Sequence, residues 1–478
     1  MSTDWQVTDC LHGRSPTLYR LAVNFDHFQV LRAIGKGSFG KVCIVRRKSN
    51  NQMYAMKYTN KRQCLEKEAV KNVIREVQIL SSLDHPFIIN LKFSFQDEED
   101  MFMVTDLLLG GDLRYHLSQG VTYSEASVKL YLCQLSLALD YLRSKRIIHR
   151  DIKPDNILLD ETGHPFLSDF NTATHLAEGE EARSMTGTKP YMAPEIFDCQ
   201  TEERAGYSFA VDWWSLGVVA LELRQGVRPF EVHAGTPIGE VRDRLRAPPR
   251  CPASSEPGFG TLISKLLRQE PERRVASLER IRTLPYLQDV DFDAVYSKQI
   301  PVPFIPPRNS LNCDPTYELE EMIIESRPLH KKKKRLLKQR SVREGLGQQA
   351  EQTEDPLQQR LQTVAGDFFV YDREKELAQR QRDRLEEAWE RELAESMQQS
   401  SPISQVDSAV IERIRADLLS EGRRLTEAER AAGSRTVQAL QDMQLGRPAA
   451  TEATASASSH ISTPARRRTR LQHQMTVT

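Results

Sequence analysis

The run His149-Arg150-Asp151-Ile152-Lys153-Pro154-Asp155-Asn156 constrains this chain more than any other stretch. It places a carboxylate, a cation and a carboxamide in one loop, directly ahead of the apolar segment Ile157-Leu158-Leu159. A polar turn whose Asp and Asn merely cap backbone groups would not require that order. Few loops need all three groups at once.

The pattern changes along the chain. From Phe28 to about Leu109, β-branched and polar residues alternate in VCIV, MYAMKY and MFMVTD. One helical stretch interrupts them, KEAVKNVIREVQILSSL, with apolar residues three and four apart. This predicts a small sheet with one helix over 28–109. From Gly111 to about Leu287, apolar rows in SEASVKLYLCQLSLALDYLRS and AVDWWSLGVVALELRQG predict a larger helical unit, so that 28–287 forms one domain divided at 109/110.

Residues 1–27 read as an N-terminal extension and 288–345 as a tail holding the proline-rich IPVPFIPPRNS and the basic HKKKKRLLKQR. Residues 346–446 read as a charged helical region, with helices around Arg373 to Glu395 and Val406 to Arg430. The last segment, 447–478, has too few large apolar residues to offset its chain entropy and is expected to be disordered.

Acidic and basic residues number 66 each in 478, so the global field gives no reason to expect nucleic acid or an acidic membrane as main partner. Seven cysteines lie scattered without C-x-x-C or metal-ligand spacing, which fits a reducing compartment. The N-terminus has no apolar h-region and no apolar run is long enough to cross a bilayer, so a cytoplasmic and also nuclear location is expected. The run His330 to Arg335 reads as a nuclear-import signal, a contact to acidic lipid or a solvated face.

In Ile34-Gly35-Lys36-Gly37-Ser38-Phe39-Gly40-Lys41-Val42, three glycines allow a hairpin backbone to approach phosphate oxygens without Cβ obstruction. On the next strand Lys57 can set a point charge on the α and β phosphates of ATP, held by Glu76 from the intervening helix. Asp151 is the candidate to orient and deprotonate an attacking hydroxyl, Lys153 to neutralise the transferring γ-phosphate, and Asn156 to hold magnesium. Asp169, in Ser168-Asp169-Phe170, offers the second magnesium ligand, with manganese as the alternative hard cation. Glu195, in Ala193-Pro194-Glu195, is expected to be buried against Arg274.

These residues, in this order, resemble the eukaryotic protein kinase superfamily from about Phe28 to Leu287. The resemblance implies an α+β, two-lobed fold with a small β-rich lobe holding one main helix, a larger α-helical lobe and an extended C-terminal tail. It implies ATP in the cleft, with Ile34, Val42, Ala55 and Leu158 about the adenine, Thr105 as gatekeeper and Asp106 to Leu108 as hinge. It implies a stack of Leu80, Leu91, His149 and Phe170 that is continuous in the active arrangement. Lys153 close to Asp151, with Thr188 in GTKPYM, resembles the serine/threonine class and so implies protein substrates with Ser or Thr acceptors. More narrowly, NFDHFQVLRAIGKGSFGKVCIV, GTKPYMAPEIF and PTYELEEMIIESRPLHKKKKRL resemble the YANK family of the AGC group, also called serine/threonine kinase 32.

Asn171 departs from the wider superfamily, which has Gly there; Asn tolerates left-handed geometry, so the active arrangement is expected to remain accessible. By the same resemblance Arg150 would grip a phosphate on Ser184, placed there by an upstream kinase or by autophosphorylation, although Ser184 and Thr186 also read as plain solvated residues. Asp112, Asp155 and Glu222 align with acids that select arginine upstream of the acceptor. Arg183, Arg224, Arg228 and Arg242 point instead to acidic or already phosphorylated peptides, and both readings stand. Pro303-Phe304-Ile305-Pro306 resembles the AGC tail strap. In GDFFVYD, Phe368, Phe369 and Tyr371 are read as a satellite apolar cluster in preference to a motif docked on the small lobe. Ile411, Ile414 and Leu418 give one predicted helix an apolar edge. The alternative to a kinase is an inert scaffold of the same fold acting through its tail.

Overall fold

The computed structural model describes residues 23–36, 40–247, 249–310, 312–316 and 356–399. The chain divides into a compact unit ending at Leu385 and a second unit from Glu386, whose described part is helical. Expectations for 1–22, for Gly37 to Phe39, for the basic run at 330–335, for Ile411 to Leu418 and for 447–478 lie outside the described residues.

The alternating segments form an antiparallel sheet of β1 (Phe28–Lys36), β2 (Lys41–Arg47), β3 (Met53–Asn60), β4 (Leu91–Gln96) and β5 (Asp100–Thr105). A sixth strand, β10 (Tyr371–Asp372), completes the order β1-β2-β3-β5-β4-β10. Alternation puts Tyr54, Met56, Phe93, Phe95, Phe102 and Val104 into one buried cluster with Phe28. Each such side chain, fully buried, contributes about 1.5–3 kcal/mol. Between β3 and β4 the chain forms α1 (Lys61–Glu66), capped by Asn60, and α2 (Val70–Ser82). Val73, Val77 and Leu80 make the buried stripe of α2, and Glu76 is buried on that helix as well.

The helical part begins with α3 (Leu113–Ser118) and α4 (Glu125–Ser144). The two-residue strands β6 (Ile147–Ile148) and β9 (Thr174–His175) pair, and so do β7 (Ile157–Leu159) and β8 (Pro165–Leu167). Next come α5 (Pro194–Gln200), α6 (Ala210–Gln225), α7 (Ile238–Arg246), α8 (Pro257–Leu266), α9 (Leu278–Arg282) and α10 (Phe292–Tyr296). Helix α6 is buried on all sides from Val211 to Leu223, with Trp213 and Trp214 at its centre. It stops at Gly226 in the left-handed region. A β-rich part with one main helix, followed by a helical part, is the two-lobed architecture expected.

The segment after α10 runs back along the helical part. Phe304 packs edge-on against His116 and Tyr123, with centroids 5.2 and 5.0 Å apart. Asn312 donates to the carbonyl of Leu109 at 3.0 Å. Its own carbonyl lies so close to Gly111 that a Cβ there would fall 2.1 Å away, and Gly111 has φ +77°.

The structure corrects the reading of GDFFVYD. Helix α11 (Pro356–Asp367) packs against α1, and β10 pairs with β4 through Tyr371 opposite Ser94 and Asp372 opposite Phe93. Phe368 and Tyr371 are buried with Val364 in the main core, while Phe369 stays 44% exposed and contributes its carbonyl to Ser94 Oγ at 2.6 Å. At the start of α12 (Arg373–Gln399), Arg373 Nη2 lies 2.6 Å from Asp84 Oδ1, and Glu374 pairs with Arg47. The segment is thus a docked edge strand with ion pairs at its end.

Candidate active site

The loop between β6 and β7 is anchored from below. Asp212 of α6, buried, accepts the N–H of His149 at 2.8 Å and of Arg150 at 2.9 Å. Burial pushes its carboxyl up, against the pull of the two N–H groups and the His149 and Arg150 side chains. Sequence reasoning passed over Asp212. Its signal was a lone acid within an otherwise apolar run, AVDWW, of a helix without a solvent face.

With the loop fixed, its groups converge. Asp151 Oδ2 accepts from Lys153 Nζ at 2.7 Å and from Asn156 Nδ2 at 3.1 Å, and Oδ1 accepts from Thr188 Oγ1 at 2.6 Å. Lys153 Nζ also reaches Thr188 Oγ1 at 3.0 Å. The amide nitrogen of Asn156 is committed to Asp151, at 2.8 Å to its carbonyl, so the amide oxygen remains as the donor for a hard cation.

On the sheet side, Lys57 Nζ lies 2.7 Å from Glu76 Oε1 and 3.2 Å from Asp169 Oδ1. Burial alone would lower the Lys57 pKa, but the two carboxylates outweigh it and hold it raised. Burial works to raise Asp169, and Lys57 outweighs it, keeping that carboxyl below the usual range. Burial pushes Glu76 up while Lys57 pulls it down; with the ammonium shared by two acids, the trio stands as one cation between carboxylates.

Phe170 explains why α2 sits where it does. The helix packs on the turn Phe170–Thr172, and the Phe170 ring meets His149 edge-on at 4.7 Å. Leu80, Leu91, His149 and Phe170 are all buried. The left-handed residue of this turn is Asp169, with φ 58° and ψ 76°, and Asn171 donates from Nδ2 to Asp169 Oδ2 at 3.3 Å.

The register places the other sequence-selected residues. Val42 lies opposite both Gly35 and Lys57, and Ala55 lies opposite Thr105, so Gly35, Val42, Ala55 and Lys57 share one sheet face. Ile34 is the extra residue at an irregularity of β1. A Cβ on Gly40 would stand 2.3 Å from the Tyr58 carbonyl. Lys36 ends β1. Asp106 turns its carboxylate to Lys92 at 2.7 Å and to Asn90, and its N–H donates to the Asn90 carbonyl at 3.2 Å. Leu108 and Leu158 are half-buried against the core.

Beside Asp151 a pocket of about 500 Å³ is lined among others by Arg75, Arg150, Asp151, Lys153, Asp169 and Ser184. Arg150 Nη1 donates to Ser184 Oγ at 3.0 Å and Nε to the Thr172 carbonyl at 2.7 Å. Arg75 was not selected from sequence, since one basic residue on an amphipathic helix reads as a solvated face. Away from the cleft, Arg274 and Glu195 form the expected buried pair, with Nη1–Oε1 2.5 Å and Nη2–Oε2 2.9 Å. Among the described residues six cysteines are free, and no cluster of His, Cys, Asp and Glu with metal-site geometry occurs.

Residues 28–287 match the model of the protein kinase domain. Human serine/threonine-protein kinase 32B is 55% identical over 368 residues, covering 76% of this chain and 88% of that protein. Human serine/threonine-protein kinase 32C is 53% identical over 355 residues, covering 74% and 73%. A RAC family serine/threonine-protein kinase homolog of Dictyostelium discoideum is 35% identical over 282 residues, covering 58% and 62%. A glycine-bearing hairpin, a lysine shared by two acids and a loop carrying Asp151, Lys153 and Asn156 lie within the matched span, and the chain belongs to the protein kinase family, in the branch of serine/threonine-protein kinases 32B and 32C.

Proposed function

We infer that this protein kinase transfers the γ-phosphate of ATP to serine and threonine hydroxyls of protein substrates. The observation that carries the reading is Lys57 shared between Glu76 and Asp169, which ties the sheet, α2 and the segment after β8 into one phosphate-facing site.

In the proposed mechanism Asp151 accepts the hydroxyl proton, and its hydrogen bond from Thr188 holds the carboxylate toward the acceptor. Lys153, 2.7 Å from Asp151, is placed to move its charge to the transferring group as that carboxylate is protonated. Asp169 and the amide oxygen of Asn156 fit magnesium, which when bound neutralises charge on the phosphate oxygens. Lys57 orients the remaining phosphates. Ile34, Val42, Ala55 and Leu158, with Leu108 and the backbone of Thr105 and Asp106, form the proposed adenine seat, and Gly35 to Gly40 the phosphate cover. Ser184, exposed and within reach of Arg150, is the proposed phosphorylation site for an upstream kinase or for the enzyme itself.

No described helix is long and apolar enough to cross a membrane, and the cytoplasm and nucleus are the proposed locations. Transfer of label from γ-labelled ATP to an arrayed peptide library, titrated with magnesium, tests the reading. Asp169→Asn is expected to lower transfer roughly a hundredfold or more. Transfer that needs no divalent ion, or that survives this substitution, would overturn the metal-holding role proposed for Asp169, and no transfer from wild type would return the chain to the scaffold alternative.

A further inference from the structure

A charged cluster beside Asp151 is not used by the transfer chemistry. It closes a ring around the acceptor side of the cleft. Thr188, bonded to Asp151, is followed three residues on by Tyr191, whose OH donates to Glu222 Oε2 at 2.6 Å. Glu222 Oε1 accepts from Arg114 Nη1 at 2.9 Å. Arg114 Nε reaches Asp155 Oδ2 at 3.3 Å, and Asp155 stands on the same loop as Asp151. Arg114 also donates from Nη2 to the Tyr191 hydroxyl.

Glu222 is 1% exposed, and a carboxylate so buried needs a cation beside it. Here the chain supplies that cation. The guanidinium of Arg114 lies between the two acids, Glu222 and Asp155, that the family resemblance sets aside for an arginine of the substrate. Asp112, the third acid of that set, has its Oδ1 taken by the Tyr115 N–H at 2.7 Å as the cap of α3. Arg228, with its side chain 43% exposed, stands 3.9 Å from Glu222 as a second cation on the same acid.

We propose that Arg114 fills, from within the chain, the place where a substrate's upstream arginine would pair with Glu222 and Asp155, so that this kinase does not select basic residues ahead of its acceptor. A substrate guanidinium would have to displace a fork already bonded to two carboxylates and a phenol, and would meet Arg228 as a like charge. Two of the arginines that suggested acidic substrates are themselves committed elsewhere. Arg242 pairs with Glu203 and with Asp198 at 3.0 Å, and Arg224 lies 3.6 Å from Glu125. The absence of basic selection therefore rests on Arg114 with Arg228 behind it.

This proposal depends on reading the chain as a serine/threonine kinase, and the experiment separates the two. A peptide series moves one arginine through each position ahead of a fixed acceptor serine, and kcat/KM is divided by that of the alanine peptide within each protein, so that a general loss of activity cancels. Wild type is expected to stay within about twofold of unity at every position. Arg114→Ala is expected to raise the ratio roughly tenfold or more at one position, and Arg114→Ala with Glu222→Gln to erase that gain. Arg114→Met, which keeps the apolar stem, replaces the alanine variant if that one does not fold, with the same gain expected. An active wild type that selects arginine tenfold overturns the proposal alone, as does an active Arg114 variant that gains nothing. A wild type that labels no peptide overturns the transferase reading and this proposal with it.

Discussion

Asp151→Asn is expected to lower kcat by roughly a hundredfold to ten-thousandfold with little change in the KM for ATP. The substitution preserves shape. An asparagine can still accept from Thr188 through its amide oxygen, although the nitrogen that replaces Oδ2 cannot accept from Lys153, and the loop held by Asp212 keeps its course. What is lost is the ability to take a proton from the acceptor and to offset the charge of Lys153 at 2.7 Å. Steady-state phosphorylation of a single peptide by both proteins measures the effect. A loss of less than tenfold would mean that Asp151 only shapes the loop.

The largest loss of stability is expected at Arg274, far from that chemistry. Arg274 is 0% and Glu195 2% exposed, and their fork-to-fork pair is supplemented by guanidinium bonds to the carbonyls of Arg268 and Ala210 and by stacking on Trp214. Removing one partner leaves an uncompensated buried charge, which costs about 3–5 kcal/mol. Arg274→Ala should therefore shift the urea midpoint strongly. Arg274→Ala with Glu195→Met should recover part of the loss, since no charge then stays behind, while the orphaned carbonyls keep the remainder. A single variant within about 1 kcal/mol of wild type would show that water reaches the site.

Much of this was legible in the sequence where chemistry is packed into short runs or where a period repeats. Asp151, Lys153 and Asn156 stand in one loop, and their convergence needs only a turn. The change from alternation to helical spacing near 109 marks the two parts because sheet and helix expose their faces at different intervals. Glu195 and Arg274 were paired by an energetic requirement, a buried acid needing a cation. The failures share a cause, since each depends on reach between distant segments. A strand of two residues has no period of its own, so nothing in Tyr371-Asp372 announced its pairing with β4. Arg114 and Glu222 lie 108 positions apart, and sequence order gave the acids without the arginine that occupies them. The left-handed turn at Asp169 was likewise not legible, because residue type alone does not say where such a turn falls.

The most direct test of the central claim uses one peptide sequence with serine, threonine or tyrosine at the acceptor position, γ-labelled ATP and magnesium. The site geometry, with Thr188 and Lys153 joined to Asp151, predicts label on serine and threonine, none on tyrosine, and with Asp151→Asn a rate of labelling lower by roughly a hundredfold or more. Label on tyrosine, or the same label with and without Asp151, would contradict it.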